Sequence, residues 1–311
     1  MTTIVLLNAR ANGGEGLRRW ERVRPLLESS RLGRGSRIVL DPGDLARALR
    51  NGSAGGGALV VAAGGDGTVN LVVNEIMDLD AERRRHVILG AVGLGSSNDF
   101  HKPHDHARVL DGSVHVRLET AGSYLHNVGE VEFEDEKGEK KRRYFVLNCS
   151  LGIIAQANAF FNRGNRLLDV LKRRFVPGAI YYAALKTILA APDVPAEIAV
   201  AGETLSAAVT NLSVVINPHF SGNLRYDFAV DGRSGNFGVA LCEGMGVPRR
   251  LRTLASLANG RFRDLPGTKT WLAADLRVST ALPTAFEMDG EVFPARGIRI
   301  RLLREKVRVC P

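Results

Sequence analysis

A chain of 311 residues is long enough to bury a full core and to form two domains. Its composition, 45% hydrophobic, 24% charged and 6% aromatic, is that of a folded globular protein and excludes wholesale disorder. A net charge of +9 and a sequence pI of 9.8 favour anionic partners: nucleotide phosphates, nucleic acid or an acidic membrane surface.

The strand and helix signals alternate through the first third. "TIVLLN" (3–8) is a short apolar run, followed by the loop "ARANGGEG" and a helical segment with Leu17, Trp20, Val23 and Leu27 at helix-like spacing. "RIVL" (37–40) precedes "DPGDLARALRNG", where Pro42 and Asp44 are start signals and Gly52 a stop. "ALVVAA" (58–63) leads into "GGDGT". Beyond it Val69, Val72, Val73, Ile76 and Met77 form the stripe of an amphipathic helix. "VILGAV" (87–92) is followed by "GLGSSNDF". Such alternation implies βαβ units and a parallel sheet, hence an α/β nucleotide-binding domain over residues 1–120.

After about residue 113 the texture changes to a β-rich second domain, residues 121–296. "VHVRLE" alternates with period two, and "VGEVEFEDEKGEKKRRYFVLNCS" reads as two strands joined by a charged turn at Gly138. "AEIAVAGETLSAAV", "LSVVIN", "FGVALCE" and "ADLRVST" are further strands, with helical periods near 165–174, 179–190 and 248–258. The final "GIRIRLLREKVRV" reads as an edge or closing strand that returns residues 297–311 to the first domain.

Cys149, Cys242 and Cys310 have no paired spacing and read as reduced thiols of a cytosolic chain. "MTTIVLLNAR" has no basic stretch before a long apolar run, so it does not read as a signal peptide. No apolar stretch approaches the roughly 18 to 20 residues a span needs. The expectation is a cytoplasmic protein whose membrane contact is peripheral. "RLLDVLKRRF" (166–175) is a basic amphipathic patch that suits either membrane docking or domain packing. His101, His104 and His106 have ligand-like spacing but no fourth ligand nearby, and read as a solvated loop. Basic residues are scattered without interleaved aromatics, so no nucleic-acid partner is expected. A homodimer is compatible with the sequence.

Ligands bind to open parallel sheets at the carboxyl ends of the strands, where three Gly-rich loops, "NARANGGEG", "GGDGT" and "GLGSSNDF", are expected to crowd. Glycines let backbone amides approach phosphate, and helix N-termini favour its charge. Asp66 and Asp99 beside such a site call for a hard cation, which points to ATP with Mg2+. Taken singly, each loop is also ordinary turn or cap chemistry.

"GGDGTVN" (64–70) with "LGSSNDF" (94–100) resembles the catalytic-domain pattern of the diacylglycerol kinase and sphingosine kinase superfamily, in particular its soluble bacterial lipid kinases. "NARANGG", "FVLNCSLG" (145–152), "INPHFSGNL" (216–224) and "FEMDGEVF" (286–293) resemble its other signatures, in the same order. The resemblance implies ATP- and Mg2+-dependent phosphorylation of a hydroxyl on a lipid acceptor at a membrane surface. It implies a nucleotide site built from Asn8, Gly13, Gly14, Asp41, Gly64, Gly65, Asp66, Gly67, Thr68, Asn70, Ser96 and Asn98. Metal ligation falls to Asp66, Asp99 and Asp231, and catalysis to Asp66 and to Glu291 as general base. The chain departs from the pattern at Ala9, Asp41 and Leu71; for the second-metal turn it offers Asp231-Gly232, but the spacing to "NFGV" aligns Ser234-Gly235 with that turn instead. An NAD kinase-like enzyme with a soluble acceptor, or a weakly catalytic nucleotide or lipid binder, stays open at this level.

Overall fold

The computed structural model describes residues 1–30, 36–52, 57–103, 109–164 and 166–311. In chain order the elements are β1 (Thr2–Leu7), α1 (Ala11–Gly14), α2 (Gly16–Ser30), β2 (Arg37–Val39), α3 (Pro42–Gly52), β3 (Ala58–Gly64), α4 (Asp66–Met77), α5 (Ala81–Arg85), β4 (Val87–Gly93), β5 (Val109–Leu110), β6 (Val114–Arg117) and β7 (Tyr124–His126). There follow β8 (Gly129–Glu134), β9 (Lys140–Phe145), β10 (Asn148–Gly152), α6 (Ile153–Arg163), α7 (Arg166–Arg174), α8 (Val176–Ala190), β11 (Val194–Val200) and β12 (Glu203–Val215). The chain ends with β13 (His219–Phe220), β14 (Leu224–Arg225), β15 (Phe237–Glu243), α9 (Val247–Ala258), β16 (Thr268–Ala273), β17 (Asp275–Met288), β18 (Glu291–Leu302) and β19 (Val307–Val309). These divide into two compact units, residues 1–127 with 305–311, and residues 128–304.

The first unit is the α/β layer expected from the alternating pattern. Its sheet runs β2-β1-β3-β4-β19-β7, with β2, β1, β3, β4 and β19 mutually parallel. Every residue of β3 is buried, the mark of a central parallel strand covered on both faces. On one face Val5, Leu7, Leu59, Val61 and Ala63 pack with Trp20, Val23 and Leu27 of α2. Leu17, given the same helical face by spacing, is instead 45% exposed at the helix start. Val69, Val72, Val73, Ile76 and Met77 of α4 are all buried.

The second unit is β-rich. Its sheet runs β16-β15-β12-β10-β17-β18-β8-β9, and β11 also pairs with both β12 and β17. The long strands β12 and β17 therefore share β10 at one end and β11 at the other. One core cluster built on Phe145, Leu212, Phe237 and Phe286 fills this sheet. A second gathers around Tyr226, Phe220 and Phe262.

Two boundaries differ from the sequence reading. β6 pairs with β4, and β7 with β19, so the first unit extends to Asn127 and not to about 120. Their alternation looked like second-domain texture because antiparallel edge strands alternate wherever they lie. Residues 297–302 also do not return: they continue β18, paired with β17 and β8, with Ile298 and Ile300 buried. Only the segment carrying β19 rejoins the first sheet, and it lies between β4 and β7 as an internal strand. Helix α6, over "IIAQANAFFNR", was not foreseen. All three cysteines are buried and none is in a disulfide. Among the described residues no helix is long and apolar enough to cross a membrane.

Candidate nucleotide loops and acceptor-side carboxylates

Strand register sets the level at which the three loops leave the sheet. Leu7 pairs with Ala63 and Gly64 with Gly93, so β1, β3 and β4 end in step. The loops after them are then stitched together. Asn8 Nδ2 donates to Thr68 Oγ1 at 3.1 Å, joining the first loop to α4. The Leu94 amide donates to the Gly64 carbonyl at 2.8 Å. Arg19 Nη1 reaches from α2 to the carbonyls of Leu94 and Gly95 at 3.2 and 3.0 Å.

The glycines do more than leave room for a ligand. A Cβ on Gly95 would stand 2.5 Å from the Gly65 Cα, and one on Gly64 would meet Thr68 Oγ1 at 2.2 Å. Both are closer than real Cβ contacts allow: Gly95 is bare because two loops cross there, and Gly64 because the first turn of α4 folds back against it. Gly13 (φ 69°) and Gly14 (φ 102°) instead serve a backbone turn that L-residues adopt rarely.

Asp66 opens α4 behind an N-cap, Gly65, that has no side chain to occupy the helix amides. Its carboxylate accepts the Asp99 and Phe100 amides at 3.1 and 3.0 Å, which fastens the "SSNDF" loop to the helix start. Gly67 lies in the same first turn, and Thr68 and Asn70 are buried within α4. Ser96 is exposed on its loop. Asn98, with φ 51°, closes that loop on itself: its Oδ1 accepts the Gly95 amide at 3.0 Å and its Nδ2 donates to the Gly95 carbonyl at 3.0 Å.

Three residues play parts other than the expected ones. Asp41 is the cap of α3, its Oδ1 accepting the Gly43 amide at 2.7 Å, which accounts for an acidic residue at that position. Asp99 is buried and paired with half-buried Lys102 at 2.6 Å, so its charge already has a partner within the chain. Asp231 folds an exposed turn in the second unit by accepting the Arg233 amide at 2.8 Å and the Ser234 hydroxyl at 3.0 Å. Burial opposes ionisation there, yet those bonds hold its carboxyl below the usual range. Among the described residues no three His, Cys, Asp or Glu side chains form a metal-holding group. No preformed cage thus stands at Asp66 with Asp99, or, separately, at the Asp231 turn of the second unit. A single carboxylate placed as Asp66 is would suit only a divalent cation whose other ligands came with a phosphate-bearing ligand. His101 is buried in the short turn after Asn98, and His104 and His106 lie outside the described residues.

In the second unit "FEMDGE" is the turn between β17 and β18. Asp289 is buried at φ 46° and accepts three amides, from Val146 at 2.8 Å, Leu147 at 3.0 Å and Asn148 at 2.9 Å. It is thus a brace that fixes the segment entering β10. Glu291 begins β18 and is exposed. Glu287, which the sequence reading passed over, is buried, with Oε1 accepting the Gly290 amide at 2.5 Å and Oε2 without a hydrogen-bond partner. Burial pushes its pKa up to about 8; the Gly290 amide and the Ser150 hydroxyl pull the other way, and the charges of Asp289 and Glu291 add to the rise.

A neutral Glu287 stabilises the fold fully below its unfolded pKa of 4.5, and that contribution drains away as pH rises through about 8. Wild-type protein should therefore lose stability between these limits at up to about 1.4 kcal/mol per pH unit, and Glu287→Gln should not. Urea midpoints taken at intervals across this window check it; parallel curves for the two proteins would show that Glu287 is ionised throughout.

The second unit also holds an apolar cavity with about 490 Å³ of empty space, part of it open to solvent. Ile154, Ile188, Phe220, Tyr226, Met245 and Leu257 line it. Arg250 borders it with its charge consumed by Asp193 at 2.8 Å and by the Ala191 and Met245 carbonyls, both at 2.7 Å.

Sequence and fold comparisons agree on the kind of protein this chain is similar to. Residues 2–120 match the diacylglycerol kinase catalytic domain. The "Putative lipid kinase YtlR" of Bacillus subtilis is 22% identical over 98% of this chain and 97% of its own length. A "Probable lipid kinase YegS-like" from Chromohalobacter salexigens is 47% identical over 64 residues, an alignment spanning only 20% of that relative. The crystal structure of a diacylglycerol kinase from Bacillus anthracis superposes with a TM-score of 0.65, covering 99% of this chain and 96% of that one at 16% identity. The two-unit fold is that of the diacylglycerol kinase structures, and the resemblance read from the motifs holds.

Proposed function

We propose that this protein, with its diacylglycerol kinase catalytic domain at residues 2–120, transfers the γ-phosphoryl group of ATP to a hydroxyl of a diacylglycerol-like lipid. The observation that carries the reading is the convergence of three loops at one sheet edge, tied by the Asn8–Thr68 and Asp66–Asp99 bonds. Phosphoryl transfer is mostly positioning and charge neutralisation, and that edge supplies both. The uncapped start of α4 and the left-handed turn at Gly13 and Gly14 offer amides to the phosphates. Mg2+ comes with ATP as part of the substrate and meets Asp66. Asn8, Gly64, Gly65, Gly67, Thr68 and Asn70 hold the loop shape around it, and exposed Ser96 faces nucleotide.

Glu291 is the group assigned to take the proton from the acceptor hydroxyl, which is then the nucleophile toward the γ-phosphorus. The apolar cavity of the second unit suits an acyl chain: its lining is mostly hydrocarbon and aromatic, with Thr210, Asn211 and Thr253 among it, and its one charge, on Arg250, is spent on internal partners.

The test is transfer of radiolabel from γ-labelled ATP to a total lipid extract and to dispersed diacylglycerol. One labelled lipid is expected. Label entering NAD instead would replace the lipid acceptor by a soluble one, and ATP binding without any labelled product would make the protein a binder. Asp66→Ala removes the acceptor of two loop amides as well as the carboxylate facing Mg2+, and should lower kcat/KM by about 10²-fold or more in initial-rate assays.

A further inference from the structure

We infer that Glu287 is a positioning residue for Glu291, acting through a buried polar row that leads to the turn between β17 and β18; the inference rests on the lipid-kinase reading for its purpose. Strand register builds the row. Glu287 pairs with Ser150 across β17 and β10, and Ser150 with Ser213 across β10 and β12, so the three side chains line up on one face of the sheet. Their strand neighbours Phe286, Met288, Leu212 and Val214 point the other way, into the main core. Glu287, Ser150 and Ser213 are all buried, as are Tyr226 and Asn211, which meet the row at its far end. Asn211 Nδ2 and the Tyr226 hydroxyl each donate to Ser213 Oγ at 3.0 Å, and Ser213 Oγ lies 3.2 Å from Ser150 Oγ. Two donors fill the lone pairs of Ser213, so its own hydrogen goes to Ser150, and that of Ser150 is left toward Glu287. Tyr226 and Asn211 also line the apolar cavity, so the row joins the proposed acyl site to the turn.

At the turn, Glu287 and Asp289 divide the work. Asp289 ties the first half to the segment entering β10, while Glu287 Oε1 holds the amide of Gly290, the residue from which Glu291 leaves. Glu287 Oε2 is buried with no hydrogen-bond partner, which a neutral carboxyl tolerates far better than a charged one. The titratable groups that act on Glu287 are Cys149 on β10, Tyr226 after β14 with its neighbour Cys242 on β15, and Asp289 and Glu291 in its own hairpin. None of these brings a positive charge. An ionised Glu287 would therefore need water at Oε2, and admitting it opens the end of the hairpin that aims Glu291. A glutamine would hold Gly290 without that liability. The acid makes the aim of Glu291 depend on a proton.

The test is the pH profile of kcat for the full chain, from about pH 6 to about pH 9.5, with short-chain dispersed diacylglycerol and saturating ATP. Wild-type kcat should fall above about pH 8, by up to about tenfold per unit, as one proton is lost. Glu287→Gln, which keeps the bond to Gly290, should retain at least about a third of the plateau and lose the fall. Glu287→Ala should lower kcat about tenfold or more at every pH while ATP affinity holds, because the nucleotide loops belong to the other unit. Ser150→Ala removes a hydroxyl that favours the charged form, so it should move the fall upward by about half a unit or more. That variant carries the test if the Glu287→Ala protein misfolds. Infrared spectra should show the carbonyl band of a protonated carboxyl that fades over the same range and is missing from Glu287→Gln. A fall unchanged in Glu287→Gln or in Ser150→Ala, wild-type kcat in Glu287→Ala, or no such band in the wild type at about pH 6 would overturn the inference. Failure of the kinase reading shows separately, as no transfer by the wild type at any pH while the carboxyl band still titrates.

Discussion

Glu291→Gln is expected to lower kcat by about 10²- to 10⁴-fold, the range over which a positioned base contributes. The substitution keeps size and removes only the ability to accept a proton. Because Glu291 is exposed at the start of β18, the change should move stability by no more than about 0.5 kcal/mol. ATP affinity should also hold, since the nucleotide loops belong to the other unit. Single-turnover rates with excess enzyme, alongside equilibrium ATP binding and a melting curve, separate these quantities. A variant that transfers phosphoryl within about threefold of wild type would remove Glu291 from the chemistry, because a base is worth far more than that.

Asp289→Ala is expected to cost about 3–6 kcal/mol, enough to threaten the folding of the second unit. The loss has two sources. Two buried amides, at Val146 and Leu147, and a part-buried one at Asn148 are left without an acceptor, each buried one worth about 1–3 kcal/mol when unpaired. Alanine is also disfavoured at φ 46°, a conformation that Asp and Asn tolerate. Asp289→Asn keeps the conformation and one carbonyl acceptor, so it should cost less than half as much. Urea midpoints for the pair check both terms. An alanine variant with a wild-type midpoint would mean that the turn rearranges and the brace is dispensable. The distinction matters for function, because Asp289 and Glu291 stand two residues apart in one motif and do different work.

The nucleotide half of the fold was legible because its signals are local. A fully apolar run before a glycine loop, followed by a 3.6-residue stripe, is a buried parallel strand and its helix, and β3 and α4 answer to that description residue by residue. The second unit was legible as strands but not as a sheet, since β11 can pair on both sides only once β12 and β17 are long enough to share it. The place where the chain returns was misread for a related reason. "GIRIRLLREKVRV" is one alternating stretch, yet the chain turns after Leu302 and gives β18 to one sheet and β19 to the other.

Within the candidate site, the sequence by itself determined the loop glycines, the carboxylates and the order of motifs, because residue type and spacing along one strand–loop–helix unit are enough for those. Only the tertiary structure decided what each carboxylate does. Asp66 binds two amides, Asp99 is spent on Lys102, Asp41 caps a helix, Asp289 braces a turn, and Glu287, unremarked between two apolar neighbours, is a buried acid held near pKa 8. Arg19 likewise reads as one more surface cation until the fold carries it to the Leu94 and Gly95 carbonyls. The physical reason is common to all of them: a charged side chain's role depends on which dipoles and charges lie within a few ångströms of it in space, and its pKa depends on how much water the fold has removed.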